Sequence, residues 1–167
     1  MQLKTTLLAA AVVAASLAVQ PFQSAQAATV SADMTVQITI QNACDVSTVA
    51  PTTLDFGTQG PLTANVDNTS TVTVTCTDGA TYNVGLNGGG TGNVAARQMT
   101  NGTDTIDYQL YRDSGHTQPW GTTIGTDTVA ATGNGNAQSY TVYGRVPPQT
   151  TPPADTYTDT VSVVVTY

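Results

Sequence analysis

The segment Val30–Ile40 alternates apolar and polar residues without a fault. Val30, Ala32, Met34, Val36, Ile38 and Ile40 fall on one side, and Ser31, Asp33, Thr35, Gln37 and Thr39 on the other. Successive side chains of a β-strand point to opposite faces, so this pattern predicts a strand with one dry face and one wet face. Such a strand needs an apolar surface to cover it and a strand edge to pair with its backbone. Two placements meet that need. The segment is the first strand of its own sandwich, or it fills a groove in another molecule.

The residues before it read as a leader. Lys4 is followed by an apolar run from Leu7 to Val19 and a small-residue exit, Ala25-Gln26-Ala27. A basic start, a short apolar middle and a small-x-small end are the parts of a secretory signal peptide. The run is too short for a bilayer, which needs about 20 apolar residues. Residues 1–27 are therefore expected to be removed, which leaves 140 of the 167 residues from Ala28 onward, enough for one domain. Loss of Lys4 takes the net charge from −7 to −8. The remaining cations are Arg97, Arg112 and Arg145, against 11 aspartates and no glutamate. So acidic a chain, with so few cations, is a poor match for nucleic acid or anionic lipid, both of which reward Lys/Arg clusters. Export also makes a disulfide the default for the two cysteines, Cys44 and Cys76. It would close a loop of 33 residues, worth roughly 3–4 kcal/mol on the chain-entropy view.

Further short strands follow. Leu54 and Phe56 alternate before Gly57. Val72, Val74 and Cys76 share a face of Thr71–Cys76, and Tyr82, Val84 and Leu86 repeat the pattern after an Asp78-Gly79 turn. Ile106, Tyr108 and Leu110 come next, then Tyr140, Val142 and Val146. The segment Thr156–Tyr167 closes the chain with Tyr157, Val161, Val163, Val165 and Tyr167 on one face, interrupted at Asp159. Clusters rich in Gly, Asn and Pro separate the runs at Asn87–Gly92, Gly133–Asn136 and Pro147–Pro153. Many short strands with such punctuation predict an all-β sandwich or barrel. One helical turn is expected at Val94–Met99.

Catalytic constellations are missing from the sequence. His116 is the one histidine and sits in a polar stretch, Ser114–Pro119, that reads as a surface loop. Asp104/Asp107 and Asp155/Asp159 are close pairs, but turn positions explain them, and they lack the spacing of a calcium loop. Asn87–Gly92 has no following Lys-Ser/Thr, so it is not a phosphate loop. Trp120 could stack on a sugar, although core or edge packing fits it better. The expectation is a protein that is not an enzyme, with no cofactor and no metal.

Four motifs, in order, resemble a known family. Leu54-Asp55-Phe56-Gly57-Thr58 resembles the L-x-F-G-T segment of the spore coat protein U domain, which is also the subunit domain of archaic chaperone–usher pili. Tyr108-Gln109-Leu110-Tyr111-Arg112-Asp113 with Trp120-Gly121 resembles its Y-x-L-Y-x-D … W-G block. Tyr143-Gly144-Arg145-Val146-Pro147 resembles its Y-G-x-[IVL]-P segment, and Tyr157-Thr158-Asp159-Thr160-Val161 through Tyr167 its close. One departure is Asp155, where the family carries glycine.

The resemblance implies an incomplete immunoglobulin-like β-sandwich, completed by a donor strand from a neighbouring subunit. Strand addition is a general mode of chaperone–pilin recognition. On this reading residues 28–41 are the donor extension and residues 42–167 the sandwich. Val30, Ala32, Met34, Val36, Ile38 and Ile40 enter the next subunit's groove. Tyr157, Val161, Val163, Val165 and Tyr167 line the acceptor groove and meet the chaperone. The implied partners are identical or homologous subunits in a head-to-tail polymer, a periplasmic chaperone and an outer-membrane usher. The implied place is the cell surface, reached through the periplasm, and the implied role is adhesion and biofilm formation. A secreted spore-coat protein of the same fold and a carbohydrate-binding adhesin module are the alternatives.

Overall fold

The computed structural model describes residues 27–46 and 51–167. The expected leader therefore lies, but for Ala27, outside the described residues. The chain divides into two units, Met1–Ile38 and Thr39–Tyr167. In the first, residues 27–38 form no strand. Val30, Met34, Val36 and Ile38 there are 81–94% exposed. The alternating pattern is thus not realised as a paired strand among the described residues. A strand is defined by its ladder, and the sequence pattern supplies only half of one.

The second unit is all-β, with one 3-10 turn at Gly89–Thr91. Its strands are β1 (Cys44–Asp45), β2 (Val66–Cys76), β3 (Thr81–Leu86), β4 (Arg97–Thr100), β5 (Thr105–Tyr111), β6 (Val129–Thr132), β7 (Ala137–Val146) and β8 (Val163–Thr166). They form two antiparallel sheets, ordered β1-β2-β7-β5-β4 and β6-β3-β8. The longest ladder joins β2 to β7, from Val66↔Val146 to Thr75↔Ala137. This pairing extends β2 five residues ahead of the expected Thr71 start. The polar run Asp67-Asn68-Thr69 carries no apolar alternation, but β7 supplies it with a backbone partner. At Val94–Met99 the expected helical turn is replaced by a tight turn, with Ala96 N–H donating to Asn93 O at 3.0 Å, and then by β4.

Alternation places the core. Val72, Val74 and Cys76 of β2, Val142 and Val146 of β7, and Tyr108 and Leu110 of β5 share one buried cluster with Tyr82, Val84 and Leu86 of β3. The two sheets therefore face each other across these side chains, as in a β-sandwich. Cys44 and Cys76 are direct partners across β1 and β2, and they are joined by a disulfide of 2.01 Å.

Two of the sequence motifs meet on β7. A Cβ placed on Gly144 would lie 2.7 Å from Leu54 Cδ1 and 3.0 Å from Phe56 Cζ. The bare backbone at Gly144 is what lets Leu54 and Phe56 pack against the core. Gly144→Val is therefore expected to destabilise by about 1–3 kcal/mol through overpacking. Gly60 has no neighbour within 4 Å of that position, so Gly60→Val should stay within about 0.5 kcal/mol of wild type. Urea unfolding of the two variants separates these outcomes, and equal losses would contradict the packing argument.

Candidate functional site

The final segment crosses between sheets. Thr158 bridges to Thr100 of β4, with Thr100 N–H donating to Thr158 O at 2.9 Å and Thr158 N–H to Thr100 O at 3.1 Å. The chain then reaches the other sheet, where β8 pairs with β3 from Leu86↔Val163 to Asn83↔Thr166. A single strand over Thr156–Tyr167 was expected, and this is a correction to it. Tyr157 lies before the crossing, with its hydroxyl donating to Pro153 O at 2.8 Å. Tyr167 lies beyond β8 and is exposed. Only Val161, Val163 and Val165 of the expected acceptor residues pack together against the core.

Those three valines define the site. They face the core, yet each is only half-buried. β8 is an edge strand, with β3 on one side and no further strand beside it among the described residues. Cys44, Val46, Leu54 and Phe56 likewise touch the core without being fully covered. An edge of this kind leaves backbone groups and apolar side chains that a further strand could satisfy. Of the expected donor residues, Ile40 lies in this second unit and is 69% exposed.

A buried guanidinium ties the interior next to β3. Arg97 is 1% exposed. Its Nε donates to Asn87 O at 2.9 Å, and its Nη2 to Leu86 O, Asn87 O and Trp120 O at 2.7–2.8 Å. Its Nη1 donates to Gln109 Oε1 at 2.5 Å. Burial lowers the pKa of Arg97, while the charge of Asp159 is among the influences that raise it. Trp120 is also 1% exposed and donates from Nε1 to Val84 O at 2.9 Å. Its ring is thus a core element, and the sugar-stacking alternative loses the exposed face it needs. Sequence reading missed Arg97. The one available signal was a lone cation between Val94-Ala95-Ala96 and Met99.

His116 also departs from expectation. Its side chain is 8% exposed, and its φ is 54°, uncommon for a residue with a Cβ. The ring sits edge-on to Tyr111 and Tyr143, at 5.2 and 6.2 Å between centroids. Its Nε2 has no hydrogen-bond partner and lies 3.8 Å from Asp67 Oδ1. Arg145 holds the same carboxylate through two bonds of 2.7 Å. Members of the aspartate pairs accept hydrogen bonds from side chains of this chain. Asp107 accepts from Gln98 at 2.7 Å, Asp155 from Asn101 at 3.0 Å, and Asp159 from Tyr108 at 2.6 Å. No group of three or more His, Cys, Asp or Glu among the described residues could hold a metal ion. No helix among them is long and apolar enough to cross a membrane.

A family model, the Spore Coat Protein U domain, matches residues 30–164. Among solved structures, the chain is similar to the crystal structure of a CsuC–CsuE chaperone–tip adhesion subunit pre-assembly complex from archaic chaperone–usher Csu pili of Acinetobacter baumannii. The identity is 25% and the TM-score 0.51, over 77% of this chain and 40% of that one. The chain thus spans well under half the length of that relative. No curated protein matches it in sequence.

The Arg145 pair gives a pH test. Its hydrogen bonds hold the Asp67 carboxyl below its ordinary pKa. A carboxylate depressed in this way stabilises the fold above its unfolded pKa of about 3.9, and that contribution fades as pH falls through the folded value. The pair is partly exposed, so the effect is small. Asp67→Asn is expected to be less stable than wild type at pH 5, with the gap closing by pH 2. A gap of equal size in urea unfolding at both pH values would rule this out.

Proposed function

Because the chain belongs to the Spore Coat Protein U domain family, we propose that it is a structural subunit of a surface pilus, assembled by the chaperone–usher route through donor-strand exchange. One observation carries the reading. An alternating segment keeps Val30, Met34, Val36, Ile38 and Ile40 largely exposed, in a chain whose last strand is an edge with half-covered inward valines. The chain holds both halves of a strand contact. Residues 28–41 are the donor extension and residues 42–167 the acceptor domain. Val30, Ala32, Met34, Val36, Ile38 and Ile40 enter the groove of the next copy, beside Val161 and beside Val163 and Val165 of β8. Each large side chain that becomes well buried contributes about 1.5–3 kcal/mol, before the ordering cost of association.

The direction of this contact makes a polymer. Donor and acceptor are different surfaces of one chain, so the contact is head-to-tail and builds filaments when its rotation does not close. Before assembly the same open edge needs a temporary partner. The similarity to a chaperone–subunit pre-assembly complex supports a periplasmic chaperone in that role, with an outer-membrane usher to follow. The product is a fibre on the cell surface, serving adhesion and biofilm formation.

Deletion of Ala28–Gln41 tests this. The exported full chain should form oligomers that resist sodium dodecyl sulfate without heating, and the deletion should abolish them. Adding a synthetic peptide of residues 28–41 to the deleted chain should restore a tight one-to-one complex. Resistant oligomers that persist without those residues would overturn the proposal.

A further inference from the structure

Between the Thr158 bridge and β8, the crossing segment is fastened at two further points. The first is Asp159. Its Oδ2 accepts the Tyr108 hydroxyl at 2.6 Å, and its Oδ1 accepts the backbone N–H groups of Gly90 at 2.8 Å and Thr160 at 2.7 Å. The glycine-rich turn makes room for it. Gly89 has φ +60°, and a Cβ there would fall on the Asp159 carboxylate. This turn therefore presents its backbone to an anion, and the anion belongs to the chain itself. The second point is Asn87. Its Oδ1 accepts Ser162 N–H at 2.9 Å, and its own N–H donates to Ser162 O at 3.1 Å. Its carbonyl is the one gripped by Arg97 at 2.9 and 2.7 Å.

These residues are more than a loop anchor. Ser162 immediately precedes β8, and Asp159 stands only four residues before it. Both attachments reach rigid groups, since Tyr108 and Arg97 are buried in the interior. β8 itself is four residues long and paired on one side only. A short edge strand is the element most prone to fray. We infer that Tyr108–Asp159 and Arg97–Asn87–Ser162 form a clasp that holds β8 in register on β3, so that an incoming strand meets a preformed edge. Asp159, Tyr108 and Asn87 are positioning residues in this device. They set how readily the edge accepts a strand without needing to touch it. The inference rests on the strand-acceptor reading given above.

Asp159→Asn and Tyr108→Phe test it in the full exported chain, with wild type alongside. Asparagine keeps a carbonyl acceptor at 159 and removes the charge, while phenylalanine removes one hydroxyl and leaves the ring in the core. Hydrogen exchange is read by segment, and the appearance of detergent-resistant oligomers is timed after dilution from denaturant. Amide protection over Val161–Thr166 is expected to fall about tenfold, as is the rate of oligomer formation. That is the size of one lost charge-assisted hydrogen bond. Protection in β2 and β7, and the detergent resistance of finished oligomers, should not change. Unchanged protection over Val161–Thr166 in both variants would overturn the inference, as would a loss spread evenly over all strands. If wild type forms no resistant oligomer, the pilus reading fails. Selective loss of β8 protection would still support the clasp.

Discussion

Backbone groups at a sheet edge need another strand, a side chain or water, and water is a poor partner beside a core. β8 sits at this boundary. Its ladder to β3 satisfies one side, and Val163 and Val165 point inward beside Val161. On the other side no strand lies among the described residues. The five-stranded sheet has no such weakness in its middle, where β2 and β7 pair over ten positions and β5 covers part of β7. The architecture is therefore strong at its centre and open at one margin, which is where the strand exchange proposed above would act.

An open margin must still hold its shape. Apolar packing cannot do this alone, because half-covered valines gain little from being ordered. Polar groups take over. Arg97 places a buried charge among carbonyls of Leu86, Asn87 and Trp120, all in or beside the loops that flank the three-stranded sheet. A buried guanidinium without these acceptors would cost several kcal/mol, so its presence fixes their positions. Asp159 and Asn87 extend the same fixation to the crossing before β8. The Tyr108 hydroxyl completes the arrangement, and its proton is held more tightly than in water because of burial and the Asp159 carboxylate.

Strand interiors were legible in the sequence because alternation reports burial directly. Val72, Val74 and Cys76, Tyr82, Val84 and Leu86, and Tyr108 and Leu110 all reach the core as their spacing predicts. The strands that escaped notice lack that signal. β4 reads Arg-Gln-Met-Thr, and β6 reads Val-Ala-Ala-Thr. Their pairing is decided by neighbours: β5 for one, β3 for the other. Thr156–Tyr167 alternates as a single strand but breaks where Asp159 turns toward Tyr108, a contact across 51 positions that no local pattern carries. His116 misled for a related reason. Polar flanks suggest a surface loop, while the ring is covered by Tyr111 and Tyr143 from two strands. The motif pairs were each visible, but not that Gly144 is bare to admit Leu54 and Phe56.

Charge bears on the head-to-tail joining proposed above. Arg97 bonds carbonyls and Gln109, Arg112 bonds the carbonyls of Thr128 and Thr126 at 2.7 and 3.2 Å, and Arg145 is held by Asp67. All three arginines are thus engaged within the chain, whose net charge is −7 with Lys4 included. Two copies approaching each other meet as like charges, so there is no electrostatic steering to speed the encounter. Screening at physiological salt confines that repulsion to about 8 Å. Inside that distance the contact has to come from apolar side chains and paired backbone, which salt weakens little. If copies join as proposed, slow encounter with durable contact suits an assembly in which a guide supplies the meeting and the strand supplies the hold.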